Sequence, residues 1–377
     1  MVQRRRRNYY DFSLVSIIVF LLCFGLVMLY STTSYEAQLQ GVSPTRFLRS
    51  HIMGVVLGLT AMFVISMIDY HRWQKWTFWA YFGSMILILL VLSPLGHSAK
   101  GASRWIRIAG MQFQPAEFAK IAIILLMAFL IQKNAKSLKN ISVMVRMMLL
   151  VLPVVAMIKG ITNNLSSAVI IFGIAAIMIF VATPRYDIFV TLVIAGSIAV
   201  GLFLYNLDWF MQISDSFRLE RVLTWLDPES NPQGTGFQTL QGLYAIGSGG
   251  LFGKGLGNSI QKLSFLPEAQ NDMIFAVICE ELGLFGACCV ILMFLFMLWR
   301  FMIIANNAPD LYGSMLVIGV MAHIAIQVIL NIAVVTNTIP NTGITLPFIS
   351  YGGTSALFVT AEMGLVLNVS RQIKIEQ

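Results

Sequence analysis

Residues 282–299 read LGLFGACCVILMFLFMLW and contain no charged side chain. An α-helix needs about 20 mostly apolar residues to cross the hydrocarbon core of a bilayer, and it satisfies its own backbone hydrogen bonds there. This stretch therefore predicts a membrane-spanning helix. Other charge-free stretches cover residues 12–35, 76–99, 160–184 and 188–207, so we expect a chain that crosses a membrane many times.

The composition of the whole chain supports this interpretation. Of its 377 residues, 58% are hydrophobic and only 11% are charged, whereas soluble domains average about 25% charged residues. We predict an all-α polytopic membrane protein with about ten transmembrane helices in one domain that covers residues 1–377. The predicted spans are residues 12–31, 51–69, 75–94, 115–132, 143–158, 165–183, 187–206, 272–299, 311–335 and 352–370.

The basic residues of the short loops predict the orientation. Arg4–Arg7 precede the first span, and Lys and Arg favour the cytoplasmic side of a membrane. Every other short loop on that side also has a basic residue, so both termini are expected in the cytoplasm. A long extracytoplasmic loop, residues 207–271, then joins spans seven and eight. The net charge of +8 follows from this topology and from attraction to anionic lipid, and it does not indicate a nucleic-acid partner.

The cysteines and histidines do not indicate a cofactor. All four cysteines fall in apolar spans, so no disulfides are expected. The four histidines have no spacing typical of metal ligands. We predict no dedicated metal site.

Several ionisable residues lie near the outer face. Lys100, Arg104 and Arg107 are predicted on the extracytoplasmic side, although Lys and Arg favour the cytoplasmic side. They therefore either extend toward lipid phosphates or bind an external anion. Glu117 and Lys120 lie three residues apart on one face at the start of the fourth span. This pair is either purely structural or lines a polar cavity, because ionisable groups at membrane depth are costly and usually functional.

The eighth span opens with several carboxylates. Residues 266–281 read LPEAQNDMIFAVICEE and contain Glu268, Asp272, Glu280 and Glu281. These acids cannot all face lipid, so they need a hydrated cavity, a cation or basic partners. Asp272, at the entrance, is the one that a bulky external substrate could reach. The simpler interpretation of Asp272 is an acid that caps the helix.

The long outer loop contains two segments with binding features. The amphipathic sequence FRLERVLTWL predicts an interfacial helix that carries Arg218 and Arg221 and turns Trp225 toward lipid. Gln238 and Gln241 follow in a second, glycine-interrupted segment, about one helical turn apart. Their amides could hydrogen-bond a sugar or a peptide.

The last outer loop, residues 336–355, reads TNTIPNTGITLPFISYGGTS. Its glycines, prolines and hydroxyls suit a re-entrant loop that lines a cavity. The end of the loop either binds an anion through backbone N–H groups and hydroxyls or simply begins the last helix. The residues concerned are Ser350, Gly352, Gly353, Thr354 and Ser355. No role is predicted for Glu362, halfway along the last span.

Together these motifs resemble the SEDS family (shape, elongation, division and sporulation), which comprises the FtsW and RodA polymerases of bacterial peptidoglycan. The similarity covers nearly the whole chain in the family's order. It is carried by FGLVMLYSTTS, SRWIRIAGMQFQPAEFAK, IGSGGLFGKGLGNSIQKLSFLPEAQNDMIFAVICEELG and TGITLPFISYGGTS. The sequence GLGNSIQKLSFLPEA and the short tails are more similar to the division branch, FtsW.

The resemblance implies a ten-helix fold and a glycosyltransferase that polymerises lipid II on the outer face of the bacterial cytoplasmic membrane. The family's essential aspartate falls on Asp272, and the Glu and Lys of its PxEFAK-type motif fall on Glu117 and Lys120. The resemblance also implies a class B penicillin-binding protein (a transpeptidase) and other division proteins as partners, and a location at the division septum.

This chain departs from the family pattern at two places. Gln270 and Asn271 stand where the family often has His-Thr. Residues 163–167 (NNLSS) stand where it often has Pro-Asp-x-Gly-Thr. The first departure leaves Asp272 intact, whereas the second removes an acidic group and leaves any role of that group in doubt.

The resemblance assigns a task to each charged group. Asp272 would be the general base that takes the proton of the acceptor's 4-hydroxyl, which predicts inversion and a β-1,4 link. Glu280 and Glu281 would hold helices together, or orient Lys120 and an arginine, and Glu268 would also be structural. Cations would stabilise the leaving pyrophosphate, and a divalent cation could share that charge. The candidate cations are Lys100, Arg104, Arg107, Lys120, Arg218 and Arg221.

Two other functions remain open from the sequence. A lipid II flippase would use the same cavity and cations without needing Asp272 as a base. A scaffold that recruits division proteins would need no chemistry, but it would not explain the cost of keeping several ionisable groups near membrane depth.

Overall fold

The computed structural model describes residues 7–8, 10–39, 45–99, 102–108, 111–207, 217–263 and 265–375. This part of the chain contains ten long helices and two shorter outer helices, numbered here in chain order. The long helices are α1 (Phe12–Leu39), α2 (Thr45–Met67), α3 (His71–Leu90), α4 (Pro115–Lys133), α5 (Ile141–Ile161), α6 (Leu165–Ala182), α7 (Tyr186–Tyr205), α10 (Ile274–Asn306), α11 (Leu311–Val335) and α12 (Gly353–Gln372).

The all-α polytopic fold is therefore confirmed. Eight of the long helices are apolar and long enough to cross a membrane by themselves, and the more polar α3 and α12 are the two outside that group. Helix α10 runs from residue 274 to residue 306, beyond the predicted end at residue 299. Helix α5 continues through Pro153.

A small sheet, which the sequence analysis did not predict, covers part of the outer face. Strands β2 (Gly96–Ala99), β3 (Ala102–Ile108) and β4 (Met111–Phe113) form an antiparallel meander in the order β2-β3-β4. Neighbouring side chains of a strand point to opposite faces of the sheet. Ile106 is accordingly fully buried, whereas Arg107 is exposed.

The two outer helices lie in the long connection, as predicted. Helix α8 is Phe217–Leu226 and helix α9 is Phe237–Gly249. The prediction that Trp225 faces lipid is wrong, because its indole Nε1 donates a hydrogen bond of 3.0 Å to the carbonyl of Asn337. Helix α8 is thereby attached to the last outer loop.

Helices α2 and α12 pack at a distance that only glycine permits. A Cβ atom at Gly54 would lie 2.1 Å from the carbonyl oxygen of Gly353. Small residues at such contacts let helix backbones approach closely in a membrane, where dispersion forces replace the hydrophobic effect between helices. This contact sets the position of the first turn of α12, directly after the last outer loop.

The first and last described segments of the chain meet on one face. Strand β1 (Arg7–Asn8) pairs antiparallel with β5 (Lys374–Ile375). Beside this pair, Arg300 at the far end of α10 forms a 2.7 Å ion pair with the buried carboxylate of Asp11.

Helix α10 is interrupted at Gly283, where the backbone has φ 70° and ψ −171°. The interruption frees backbone groups at membrane depth, and the segment after α9 satisfies them. The N–H groups of Leu284 and Phe285 donate to the carbonyls of residues 250 and 251, and the N–H groups of Lys254 and Gly255 donate to the carbonyls of residues 280 and 281. At the break, backbone hydrogen bonds between α10 and residues 250–255 replace the hydrogen bonds that α10 loses within itself.

The substitution Gly283→Ala is expected to destabilise the protein by more than about 2 kcal/mol, because the left-handed conformation strains any other residue. An added Cβ atom would also lie 2.4 Å from the backbone nitrogen of Gly253. Thermal unfolding in detergent micelles measures the effect. Gly196→Ala is the control, since a Cβ atom in the middle of α7 meets no atom within 4 Å. Equal melting temperatures for the two variants would contradict the prediction.

Candidate functional site

Asp272 lies in a turn that two other segments hold in place. Asn331 of α11 donates its amide to the carbonyl oxygen of Asp272 at 2.8 Å and to that of Ile344 at 2.7 Å. The hydroxyl of Ser350 donates to the carbonyl of Asn271 at 2.7 Å. The turn before α10 and the last outer loop therefore form one hydrogen-bonded unit around Asp272.

The carboxylate of Asp272 is 7% exposed and points toward polar groups of the outer helices. Gln238 of α9 donates its amide to Oδ2 of Asp272 at 3.4 Å and accepts a 3.0 Å hydrogen bond from Asn341. The N-cap position of α10 is occupied by Met273. Asp272 thus precedes the cap, which argues against the simpler capping interpretation.

A cavity of about 240 Å³ opens beside Gln238, between α8, the start of α9 and the last outer loop. Arg221 lines it and donates from Nη1 to the carbonyl of Asn341 at 2.9 Å. Gln241, the second predicted amide, is half-buried one turn further along α9. Two of the predicted binding residues, Arg221 and Gln238, therefore line a single opening, and Gln238 also contacts the carboxylate of Asp272.

Glu117 and Lys120 form a buried ion pair with an N–O distance of 2.9 Å. Lys120 also donates to Oε1 of Gln327 at 3.3 Å. The same oxygen lies 2.8 Å from Nε2 of His323, whose Nδ1 lies 2.7 Å from Oε2 of Glu362. The charge at Glu362, for which the sequence indicated no role, therefore belongs to a continuous buried network that reaches Glu117.

The residues that join these groups were missed in the sequence. His323, Gln327 and Asn331 lie four residues apart along α11, so they form one polar stripe on a mostly apolar helix. The i, i+4, i+8 spacing was a readable signal, because polar side chains are rare inside transmembrane helices. Asn331 contacts the turn that contains Asp272, and Gln327 contacts Lys120.

Glu280 is fully buried and acts as the anchor of the segment that follows α9. Its carboxylate accepts hydrogen bonds from Lys254 at 2.7 Å, from the backbone N–H groups of Ile260 and Gln261, and from the hydroxyl of Ser259. A carboxylate with this many donors is stabilised in its charged form despite burial.

Glu281 has a separate set of partners. It forms a 2.6 Å ion pair with Lys262 and accepts a 2.7 Å hydrogen bond from Ser31 of α1. The two adjacent acids thus attach the glycine-rich segment to α10 and to α1, as expected for structural acids. The alternative that they orient Lys120 or an arginine is wrong, because their cationic partners are Lys254 and Lys262.

The predicted cations of the outer sheet have different environments. Arg104 donates to the carbonyls of Thr162 and Asn163 at 3.3 and 3.2 Å, and burial lowers the pKa of its guanidinium. It therefore holds the turn between α5 and α6, which contains the NNLSS departure. Arg107 is exposed. Lys100 and the side chain of Arg218 lie outside the described residues.

The remaining predicted residues lie in the turns on either side of Asp272. Glu268 has a positive φ of 55°, and its carbonyl accepts hydrogen bonds from the N–H groups of Asn271 and Met273. Ser350 is buried and its hydroxyl accepts from the N–H of Leu346 at 2.7 Å. Half-buried positions at the start of α12 are occupied by Gly352, Gly353, Thr354 and Ser355.

Within the described ranges, no three His, Cys, Asp or Glu side chains are grouped so that they could hold a metal ion. The arrangement does offer a buried carboxylate in contact with an amide, Gln238, that lines a cavity together with an arginine, Arg221. Chemically, it can accept a proton from a hydroxyl group that is held there.

Comparison with known proteins gives one consistent result. The model of the cell cycle protein family FtsW/RodA/SpoVE matches residues 12–375. The "Probable peptidoglycan glycosyltransferase FtsW" of Geobacter metallireducens is 38% identical over 97% of this chain and 96% of its own length. The "Stage V sporulation protein E" of Bacillus subtilis is 41% identical over 96% of this chain and 97% of its own length.

Two solved structures are similar over almost the whole chain. A chain from a peptidoglycan synthase complex, solved to explain how polymerization and crosslinking are coordinated, has a TM-score of 0.79 and 27% identity, with 97% of this chain and 98% of that chain covered. RodA of Thermus thermophilus has a TM-score of 0.65 and 25% identity, with 97% of each chain covered.

The buried pair of Lys262 and Glu281 allows a test of the anchoring role. The substitution Lys262→Met leaves a fully buried carboxylate without its cation and is expected to cost about 3–5 kcal/mol of stability. Adding Glu281→Gln removes the isolated charge and should recover at least half of the loss. Thermal unfolding of the single and double variants checks both values.

The control for this test is Arg185→Met. Arg185 pairs with Asp187 at 2.6 Å, but both side chains are exposed, so this substitution should change the melting temperature little. A double variant that is less stable than Lys262→Met would contradict the prediction.

Proposed function

This chain is a member of the FtsW/RodA/SpoVE family of cell cycle proteins, and we propose that it is a peptidoglycan glycosyltransferase. It polymerises lipid II into β-1,4 glycan strands on the outer face of the cytoplasmic membrane and releases polyprenyl pyrophosphate. The relatives named as FtsW support the activity, because they are similar over nearly their full length. Its several membrane-spanning helices make the chain a multi-pass membrane protein.

The observation that carries this proposal is the setting of Asp272. Its carboxylate is buried on the predicted outer face against a residue of the cavity lining, and Asn331 holds its backbone. Gln238 contacts the same carboxylate from α9. A general base must be fixed within hydrogen-bond reach of the proton that it removes, and this geometry supplies that constraint.

In the proposed reaction, Asp272 accepts the proton of the 4-hydroxyl of the acceptor's N-acetylglucosamine. The oxygen forms a bond to the anomeric carbon of the donor as the bond to the pyrophosphate breaks. The electron pair leaves with the pyrophosphate oxygen. Attack opposite the leaving group inverts the donor's α-linkage to a β-1,4 link, and one carboxylate is enough because the pyrophosphate needs no protonation.

Cations stabilise the negative charge on the leaving pyrophosphate. Arg221, at the cavity, and Lys120, deeper and paired with Glu117, are the described candidates whose surroundings support such a role. Arg104 is already bonded to two backbone carbonyls, so we assign it a structural task. A divalent cation that arrives with the pyrophosphate remains part of the proposal.

The proposal extends to partners and location. The similar chain from a peptidoglycan synthase complex that coordinates polymerization and crosslinking supports a class B penicillin-binding protein as partner. The FtsW relatives support a division role at the septum. The identity of 41% to stage V sporulation protein E makes sporulation the second candidate role. Depletion of the protein during growth distinguishes them, since filamentation indicates division and a defect confined to spores indicates sporulation.

The substitution Asp272→Asn is expected to lower the rate of glycan polymerisation from purified lipid II by at least about 100-fold, the usual contribution of a positioned base. The reaction is measured with the full chain reconstituted together with its transpeptidase. Melting temperature confirms that the variant is folded. Glu229→Gln, which changes an exposed carboxylate of the same outer connection, is the control and should keep its activity.

Equal polymer from wild type and Asp272→Asn would remove the carboxylate from the chemistry. If the wild type with its partner made no polymer but moved lipid II across the membrane, the flippase interpretation would replace the glycosyltransferase.

A further inference from the structure

The cavity between α8 and α9, here called the α8–α9 cavity, has a lining of mixed chemistry. Its walls combine aromatic rings, side-chain amides, hydroxyls and a guanidinium. The residues that matter here are Arg221, Trp225, Phe237, Gln238, Thr239 and Asn341. Its volume of about 240 Å³ is smaller than the roughly 300–1,000 Å³ of sites for drug-sized ligands, so it has room for one sugar ring.

The lining matches the chemistry of a sugar. A pyranose ring has apolar C–H faces that pack on an aromatic ring, and its edge carries hydroxyls that pair with amides and guanidinium groups. Trp225 and Phe237 provide the rings, while Gln238 and Asn341 provide amides. The whole set is uncharged apart from Arg221, which indicates a neutral or weakly anionic ligand.

The walls of the cavity are held in place before any ligand arrives. Nε1 of Trp225 donates to the carbonyl of Asn337, and the amide of Asn337 donates back to the carbonyl of Trp225 at 3.3 Å. Thr224 and Thr235 share a hydrogen bond of 2.7 Å across the cavity wall. Such fixed walls lower the conformational cost of binding.

Gln238 connects the cavity to the reacting carboxylate, because its amide lies 3.4 Å from Oδ2 of Asp272. A ring in the cavity would therefore contact Gln238, a side chain that itself contacts Asp272. We propose that the α8–α9 cavity binds the N-acetylglucosamine ring of the acceptor disaccharide beside Gln238 and presents its 4-hydroxyl to Asp272. This inference rests on the proposed glycosyltransferase function and assigns Trp225 as the residue that packs on the ring.

The test measures binding apart from turnover. A fluorescent, lipid-free disaccharide pentapeptide, N-acetylglucosamine linked β-1,4 to N-acetylmuramyl pentapeptide, is titrated into full-length Asp272→Asn protein in lipid nanodiscs, and anisotropy gives Kd. Adding Trp225→Ala should raise Kd by about tenfold, as expected for loss of a central aromatic contact. Trp225→Phe keeps a ring without the Nε1 hydrogen bond and should stay within about threefold.

Two further variants separate binding from folding. Thr239→Phe fills the cavity without removing the anchor at Asn337, and it should also raise Kd by about tenfold. Trp79→Ala removes an indole that is 74% exposed on α3 and should leave Kd unchanged. If Trp225→Ala proves unfolded by thermal melting, Thr239→Phe decides the question alone.

The outcomes separate this inference from the proposed function. Polymerisation by the wild type together with a Kd that neither Trp225→Ala nor Thr239→Phe changes would overturn the cavity assignment alone. Failure of the probe to bind the Asp272→Asn protein would overturn it too. Absence of polymerisation, together with binding that depends on Trp225, would keep a saccharide site and reject the enzyme.

Discussion

The structure depends on one constraint, the absence of water in the hydrocarbon core, which leaves no backbone group or charge there without a partner inside the protein. Helix α10 meets this constraint in an unusual way. Its break at Gly283 frees backbone groups, and the segment after α9 bonds them. The adjacent acids Glu280 and Glu281 then fasten that segment through Lys254 and Lys262. The segment after α9 is thereby fixed to the membrane domain. The turn that contains Asp272 follows this segment and directly precedes α10.

The polar stripe of α11 gives the site its second support. Asn331 holds the turn with Asp272 and the last outer loop together, and Gln327 lies between Lys120 and His323. A helix is a rigid element, so groups attached to one of its faces keep their relative positions. Helix α11 therefore fixes the positions of Asp272 and Lys120 relative to each other, even though these two residues come from distant parts of the chain.

The sequence was most informative for features that depend only on residues close together along the chain. Charge-free runs located the ten long helices, because span length depends only on bilayer thickness and helix rise. The outer acids and the amide of Gln238 could also be singled out by residue type and position. The partners of Glu280 and Glu281 could not, since Lys254 and Lys262 reach them only through the path of a glycine-rich segment. The prediction that Trp225 faces lipid was wrong for a related reason. The amphipathic pattern of α8 indicated a lipid-facing side chain, but the fold places the carbonyl of Asn337 within reach of the indole N–H group.

The pairing of β1 with β5 joins the first and last described segments of the chain in a single two-stranded ladder. Neighbouring strands lie about 4.8 Å apart, so these two segments are in contact even though ten long helices separate them along the sequence. A short peptide linker could join these two segments covalently, and new ends could be opened in an exposed turn on the opposite face, which would move fusion tags from one side of the membrane to the other.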